Sequence, residues 1–267
     1  MKDTEFISVK KLSYKKIFDN VNLNIEQGTF VSISGSNNCG KTTLIKLLSG
    51  LISTENMVFY KGVSLENINK TKLFYDEGIV LLNEKVNFLF DNVKDEILFV
   101  LDNIRIDEEI KNDRYKEVVK LLDLQDYEKV NPNSLNKNQK VLLLLALAII
   151  HKPKVLYLDN IDSMMSKQDR KHIMDILHHL NKKEKMTIIM ATTNLENVLD
   201  TDYIYILSNG GIALEGVPYM VLQDDNIINK LGLDIPFMMD LSVKLKDYNL
   251  LKDICLDMEG MVELLWK

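Results

Sequence analysis

Apolar positions along the chain fall into short runs of two kinds. Residues 6–9 and 21–25 alternate or cluster apolar side chains over a few positions, as short strands do. Gly28 then turns the chain before Phe30-Val31-Ser32-Ile33-Ser34, a strand-like run that leads straight into Gly35. Further strand-like runs fall at 57–60, 79–82, 155–158, 187–191 and 203–207. Helical spacing takes over at 42–49 through Leu44, Ile45, Leu47 and Leu48, with Gly50 placed to cap the end. Segments 93–104, 108–122 and 139–150 also carry helical spacing, so residues from about 84 to 150 read as a helical insertion into an α/β core. Asn209-Gly210-Gly211 between two apolar runs is a hairpin signal. From about Pro218 the pattern is helical again and ends in Leu264-Leu265-Trp266.

Composition narrows the function. The chain has 267 residues, 46% apolar and 27% charged, which suits one large α/β domain or a core with an added subdomain. A net charge of −6 argues against a nucleic-acid partner. The pairs Lys10-Lys11, Lys15-Lys16 and Lys182-Lys183 read as solvated surface. The two cysteines, Cys39 and Cys255, are far apart and fit a reducing compartment. The opening residues show no signal-peptide core. The longest apolar run, 141–150, is about half of the roughly 20 residues a membrane span needs, so it predicts a buried helix.

One stretch carries specific chemistry. Gly35-Ser36-Asn37-Asn38-Cys39-Gly40-Lys41-Thr42 has the form G-x-x-x-x-G-K-[ST] and lies between a predicted strand and a predicted helix. Glycines at the ends let backbone N–H groups turn inward on phosphate oxygens, and the helix N-terminus adds partial positive charge. Lys41 can reach the β- and γ-phosphates, and the Thr42 hydroxyl can face Mg²⁺. Asn38 suits a left-handed backbone better than most side chains. Cys39 is read as a small stand-in for serine rather than a redox centre. A second motif, Lys154-Val155-Leu156-Tyr157-Leu158-Asp159, is an apolar strand ending in a carboxylate able to hold the same metal. ATP and Mg²⁺ are the expected ligands. The metal side is Thr42 and Asp159, and Gly35, Ser36, Asn37, Asn38, Cys39, Gly40, Lys41, Thr42 and Thr43 form the nucleotide loop. The four histidines (151, 172, 178 and 179) lie outside these motifs and read as helix surface.

With these residues in place the chain resembles ATP-binding subunits of ABC transporters. The segment YKKIFDNVNLNIEQGTFVSISGSNNCGKTTLIKLLSGL carries the likeness, followed in order by NSLNKNQ, the Asp159 strand, TTNL and ALEGVP. The resemblance implies a P-loop NTPase (RecA-like) three-layer core with a small antiparallel β element, a helical insertion and a C-terminal helical extension. It also implies that Tyr14 stacks on adenine. The tail LGLDIPFMMDLSVKLKDYNLLKD resembles that of energy-coupling-factor transporter ATPases, where such helices dimerise the subunits, which divides the chain into 1–217 and 218–267. FDNVKDEILFVLDN resembles the helix that receives the integral membrane coupling subunit. The implied partners are therefore that subunit and a second ABC ATPase subunit. The implied place is the cytoplasmic face of the cell membrane, and the implied role is uptake of a small micronutrient.

Departures from the family pattern fall where catalysis would be. Leu82 stands where the family has Gln, Asn160 where it has the general-base Glu, Thr193 where it has His, and Ser166 where it has Asp. The signature L-S-G-G-Q is here Leu135-Asn136-Lys137-Asn138-Gln139. Loss of both glycines blocks close backbone approach unless Asn138 is left-handed and Lys137 supplies charge. An amide cannot take a proton from water at neutral pH. No catalytic residue is assigned, and Asp162 is disfavoured as a displaced base. Two functions stay open: an energy-coupling subunit with weak or no hydrolysis, and a non-hydrolysing ATP-binding scaffold. A soluble ABC protein of translation or repair would carry two cassettes or a long coiled coil, and neither is present.

Overall fold

The apolar strand runs assemble into two sheets in the computed structural model, which describes residues 5–82, 86–104, 106–163 and 165–265. Trp266 and the expected insertion boundary at residue 84 lie outside the described residues. Strands β1 (Glu5–Tyr14) and β2 (Phe18–Glu26) form an antiparallel hairpin that pairs Ile7 with Ile25 and Tyr14 with Phe18. Together with β4 (Val58–Tyr60) and β5 (Val63–Ser64) they make a four-stranded sheet in the order β2-β1-β4-β5. The larger sheet contains β3 (Phe30–Gly35), β6 (Glu77–Leu81), β7 (Val155–Asp159), β8 (Thr187–Ala191), β9 (Tyr203–Ser208) and β10 (Gly211–Gly216). Its order is β10-β9-β3-β8-β7-β6, parallel except for the β9–β10 hairpin. Asn209 and Gly210 turn that hairpin with φ of 48° and 80°, the two positive values a tight primed turn requires.

Strands β3, β7 and β8 are buried along their whole length, so their sequences read as continuous apolar runs. The two-residue period divides their side chains between two cores. Val31, Ile33, Tyr157 and Ile189 face helix α1 (Lys41–Leu48) and the antiparallel sheet. Phe30, Leu156, Leu158, Ile188 and Met190 face the opposite side, where the helical layer packs. The result is three layers. α1 is anchored by Leu44, Ile45, Leu47 and Leu48, all buried, each contributing roughly 1.5–3 kcal/mol. Ser49 caps it, and Gly50 at φ 65° reverses the chain as expected.

The helical layer comprises α3 (Val93–Asn103), α4 (Glu108–Leu121), α5 (Lys137–Ile149) and α6 (Lys167–Glu184), while α2 (Lys70–Asp76) packs through Leu73 on the other core and α7 (Leu195–Val198) joins a third. The apolar run 141–150 lies almost wholly in α5, whose side chains Val141, Leu143, Leu145, Ala146, Ala148 and Ile149 are buried. No helix among the described residues is long and apolar enough to cross a membrane. In the tail, α8 (Pro218–Val221), α9 (Asp225–Lys230), α10 (Phe237–Asp247) and α11 (Met258–Leu265) follow the hairpin. Ile228, Leu233 and Met239 of the tail share a core with Leu195, Val198, Ile204 and Ile206, so the tail packs directly on the sheet edge.

Two expectations need correction. The antiparallel element extends well past residues 6–9 and 21–25; in β1 the register shifts between Val9 and Leu12 and between Leu12 and Tyr14 leave Lys10 and Lys11 exposed in succession and break the two-residue period. His151 is not surface: it is 9% exposed just after α5, its ring stacked on Phe74. His172 and His179 are exposed, and His178 is half-buried against Phe30.

Candidate functional site

The site grows from the end of β3. Gly35 has φ 150°, and a Cβ there would lie 2.5 Å from the Leu207 carbonyl oxygen and 2.6 Å from Cys39 Sγ. Asn38 takes the left-handed conformation, φ 63°, which asparagine tolerates. Gly40 at φ 108° packs so closely on Phe18 and Ile17 that a Cβ would meet their side chains at 2.8 and 2.9 Å. These constraints wrap residues 35–40 into a loop that ends at the α1 N-terminus. Among the described residues no side chain caps that terminus, so its first-turn amides are available to an anion.

Lys41, only 6% exposed, folds back over the loop. Its Nζ donates to the carbonyls of Gly35 at 2.8 Å and Ser36 at 2.9 Å. The Thr42 hydroxyl donates to Asp159 Oδ2 at 2.7 Å, joining α1 to the end of β7. A hydroxyl and a carboxylate so placed are the hard oxygen donors that Mg²⁺ takes alongside phosphate oxygens, so the residues present fit that ion. Among the described residues no group of three or more His, Cys, Asp or Glu could hold a metal without such help.

Beside the loop lies a cleft of about 670 Å³. One wall is Asn37, Asn38, Gly40, Lys41, Thr42 and Thr43. The other contains Asn160, Ser163 and Thr193, and Ile17 completes the lining. Ser36 and Cys39 stand behind this surface, Ser36 through its carbonyl on Lys41 and Cys39 through its sulfur at 3.8 Å from Nζ. Tyr14 does not line the cleft. It is half-buried at the end of β1, with the Lys15 ammonium 5.1 Å from its ring centroid. Ile17 and Ser163 were not singled out in the sequence, and no local pattern marks either.

The departures take definite positions. Asn160 is left-handed at φ 53°, its N–H donating to the Ala191 carbonyl and its own carbonyl accepting from Ser163 N–H. Thr193 is exposed at the cleft. Leu82 faces elsewhere: it packs on the main core and lines a separate cavity of about 320 Å³ with Phe88, Lys140 and Leu144. Asp162 is buried, and its Oδ2 accepts from Thr192 Oγ1 at 2.7 Å and Asn197 Nδ2 at 2.6 Å. It ties the segment after β7 to the segment after β8 and does not line the cleft. Asn136 and Gln139 form a reciprocal capping box at the start of α5, and Asn138 is right-handed within that helix. Asn138 therefore supplies no left-handed substitute for a signature glycine. Lys137 Nζ donates to the Ser163 carbonyl at 2.9 Å. Ser166 caps α6 through its hydroxyl.

Known proteins resemble this chain in sequence and fold. The family model described as ABC transporter matches residues 18–163. The energy-coupling factor transporter ATP-binding protein EcfA1 of Mesomycoplasma hyopneumoniae is 31% identical over 252 residues, covering 94% of this chain and 91% of its own. EcfA1 of Bacillus subtilis is 28% identical over 275 residues, covering 100% of this chain and 98% of its own. Among solved structures, CbiO1 from Clostridium perfringens, described as part of the ABC transporter complex CbiONQ, superposes with a TM-score of 0.76 at 24% identity. That match covers 89% of this chain and 98% of CbiO1.

Proposed function

Because the chain belongs to the ABC transporter family, among its energy-coupling factor ATP-binding proteins, we propose that it is a transporter subunit that binds Mg-ATP and hydrolyses it weakly or not at all. The observation that carries this reading is the contrast across one cleft. Lys41 and Thr42, whose hydroxyl is bonded to the buried Asp159 behind it, face it from one side, and an amide, Asn160, stands where a base would be needed. Backbone N–H groups of the loop and Lys41 would hold the phosphates. Thr42 and Asp159 would hold Mg²⁺, which supplies charge neutralisation between the phosphates. The adenine would rest toward Ile17.

Among the described residues, no side chain on the cleft wall can take a proton from water at neutral pH in place of a carboxylate. Loss of a general base costs about 10²–10⁴-fold, and Thr193 restores none of it. The same substitutions, with the helical signature segment, favour a second reading in which nucleotide only stabilises an assembly. Partners are inferred from the family and from exposed apolar surface. Leu89 and Phe99 near the start of α3 and within it suit an integral membrane coupling subunit, and Phe237, Met258 and Val262 of the tail suit a second ATPase subunit. The transported cargo is read as a small micronutrient, and the chain's place as peripheral on the cytoplasmic membrane face. The test is equilibrium Mg-ATP binding measured beside steady-state phosphate release. Saturable binding with release at background supports the reading; brisk turnover by the wild-type chain ends it.

A further inference from the structure

A buried polar cluster lies at the far end of the large sheet from the cleft, under the last turn of α1. The hydroxyl of Tyr157, a wholly buried side chain on β7, is 3.1 Å from the Leu48 carbonyl oxygen and 3.3 Å from Glu77 Oε1. A phenol has one proton to donate. With Glu77 ionised, both neighbours are acceptors and one contact lacks a hydrogen. With Glu77 protonated, its O–H donates to the phenol oxygen and the phenol donates to Leu48, so every contact is satisfied.

Among the described residues, no neighbouring positive charge favours the carboxylate. Lys154, at the start of β7, is committed to Asp76 Oδ1 at 2.6 Å, and the Tyr60 hydroxyl of β4 donates to Asp76 Oδ2 at 3.0 Å. Asp76, adjacent to Glu77, repels a second negative charge. His151, after α5, meets the Glu77 backbone carbonyl through Nε2 at 2.9 Å. A carbonyl only accepts, so Nε2 carries the hydrogen. Nδ1 is buried without a hydrogen-bond partner among the described residues, which makes the ring neutral. Burial first, then the like charge of Arg114 on α4, opposes its protonation.

We propose that Glu77 is a proton-binding site: a buried carboxylic acid whose O–H holds Tyr157 on the last carbonyl of the phosphate-loop helix, and whose ionisation loosens that joint. Burial, despite the Tyr157 hydrogen bond, pushes the Glu77 carboxyl up to about 8. A folded-state value above the unfolded one means the folded chain holds a proton that the unfolded chain has released. This contribution to stability is therefore complete below about pH 4 and is lost as pH rises to about 8.

The experiment is denaturant unfolding of the full chain across this range, beside Glu77→Gln, whose amide N–H can still donate to Tyr157. Relative to the variant, the wild-type unfolding constant should rise by up to about tenfold per pH unit between about pH 5 and 8. Parallel pH profiles overturn the proposal. Carbon-13 NMR of the glutamate side-chain carboxyls in the wild type serves if the variant does not fold. One glutamate should titrate near 8, and a spectrum in which every glutamate titrates in the ordinary acidic range rejects the site.

Discussion

Replacing Lys41 by alanine removes the cation at the centre of the loop. In the free protein its Nζ makes two hydrogen bonds, to Gly35 and Ser36, at 2.8 and 2.9 Å. Their loss destabilises, but release of a mostly buried ammonium offsets it, so the nucleotide-free melting temperature should change little. Binding should change more. A hydrogen bond to a charged group is worth about 1.5–3 kcal/mol, and a central value near 2 kcal/mol raises Kd roughly 30-fold. With Mg-ATP at about 100 times the wild-type Kd, nucleotide stabilises the wild type by about 2.7 kcal/mol. At the same concentration the variant sits near three times its own Kd and gains about 0.8 kcal/mol. At about 2–4 °C per kcal/mol, the wild type should shift by about 5–11 °C and the variant by about 2–3 °C in a thermal-melt assay. Equal shifts in the two proteins would show that Lys41 does not touch the nucleotide, and the reading of the loop would fail.

Other substitutions probe the rest of the site. Asn160→Glu should not restore full phosphate release, since Thr193 and Leu82 remain, and its left-handed backbone should lower stability by about 1–2 kcal/mol; phosphate release at the rate of a competent cassette would refute this. Asp162→Ala strips two buried donors of their acceptor and should cost about 2–4 kcal/mol in denaturant unfolding, whereas a loss below 0.5 kcal/mol, by the ordinary surface range, would deny it a structural role. Gly40→Ala places a methyl 2.8 Å from Phe18 Cζ at φ 108° and should lower both stability and Mg-ATP affinity, which calorimetry can check.

Much of the site was legible before any coordinates. The phosphate loop is a local object: its chemistry, its glycines and its flanking strand and helix all lie within 30–50, a span short enough for local spacing to mark them. The β9–β10 hairpin was equally readable at Asn209-Gly210, although the extent of β10 was not, because its apolar run is only Ile212-Ala213-Leu214 and its side chains are half-exposed or exposed. The two-residue β5 and the seven-residue α2 are too short for any period to register. Sequence alone disfavours Asp162 as a displaced base but assigns it no other role. Its partners Thr192 and Asn197 are 30 and 35 residues away, and only they show that it is a tie between segments.

What the sequence determined by itself was the longer, strongly patterned elements and the phosphate-loop motif, since backbone preferences and side-chain periodicity act over a few residues. The tertiary structure decided which of those residues face one another. Thr42 meets Asp159 across 117 residues because parallel strands set β3 and β7 in one sheet with their ends aligned. Ile17 reaches the cleft because the β1–β2 hairpin folds onto Gly40. His151 and Glu77 are buried because α5 delivers the chain back to the start of β6. Contacts of that kind depend on how whole elements pack, and no stretch of sequence contains both partners.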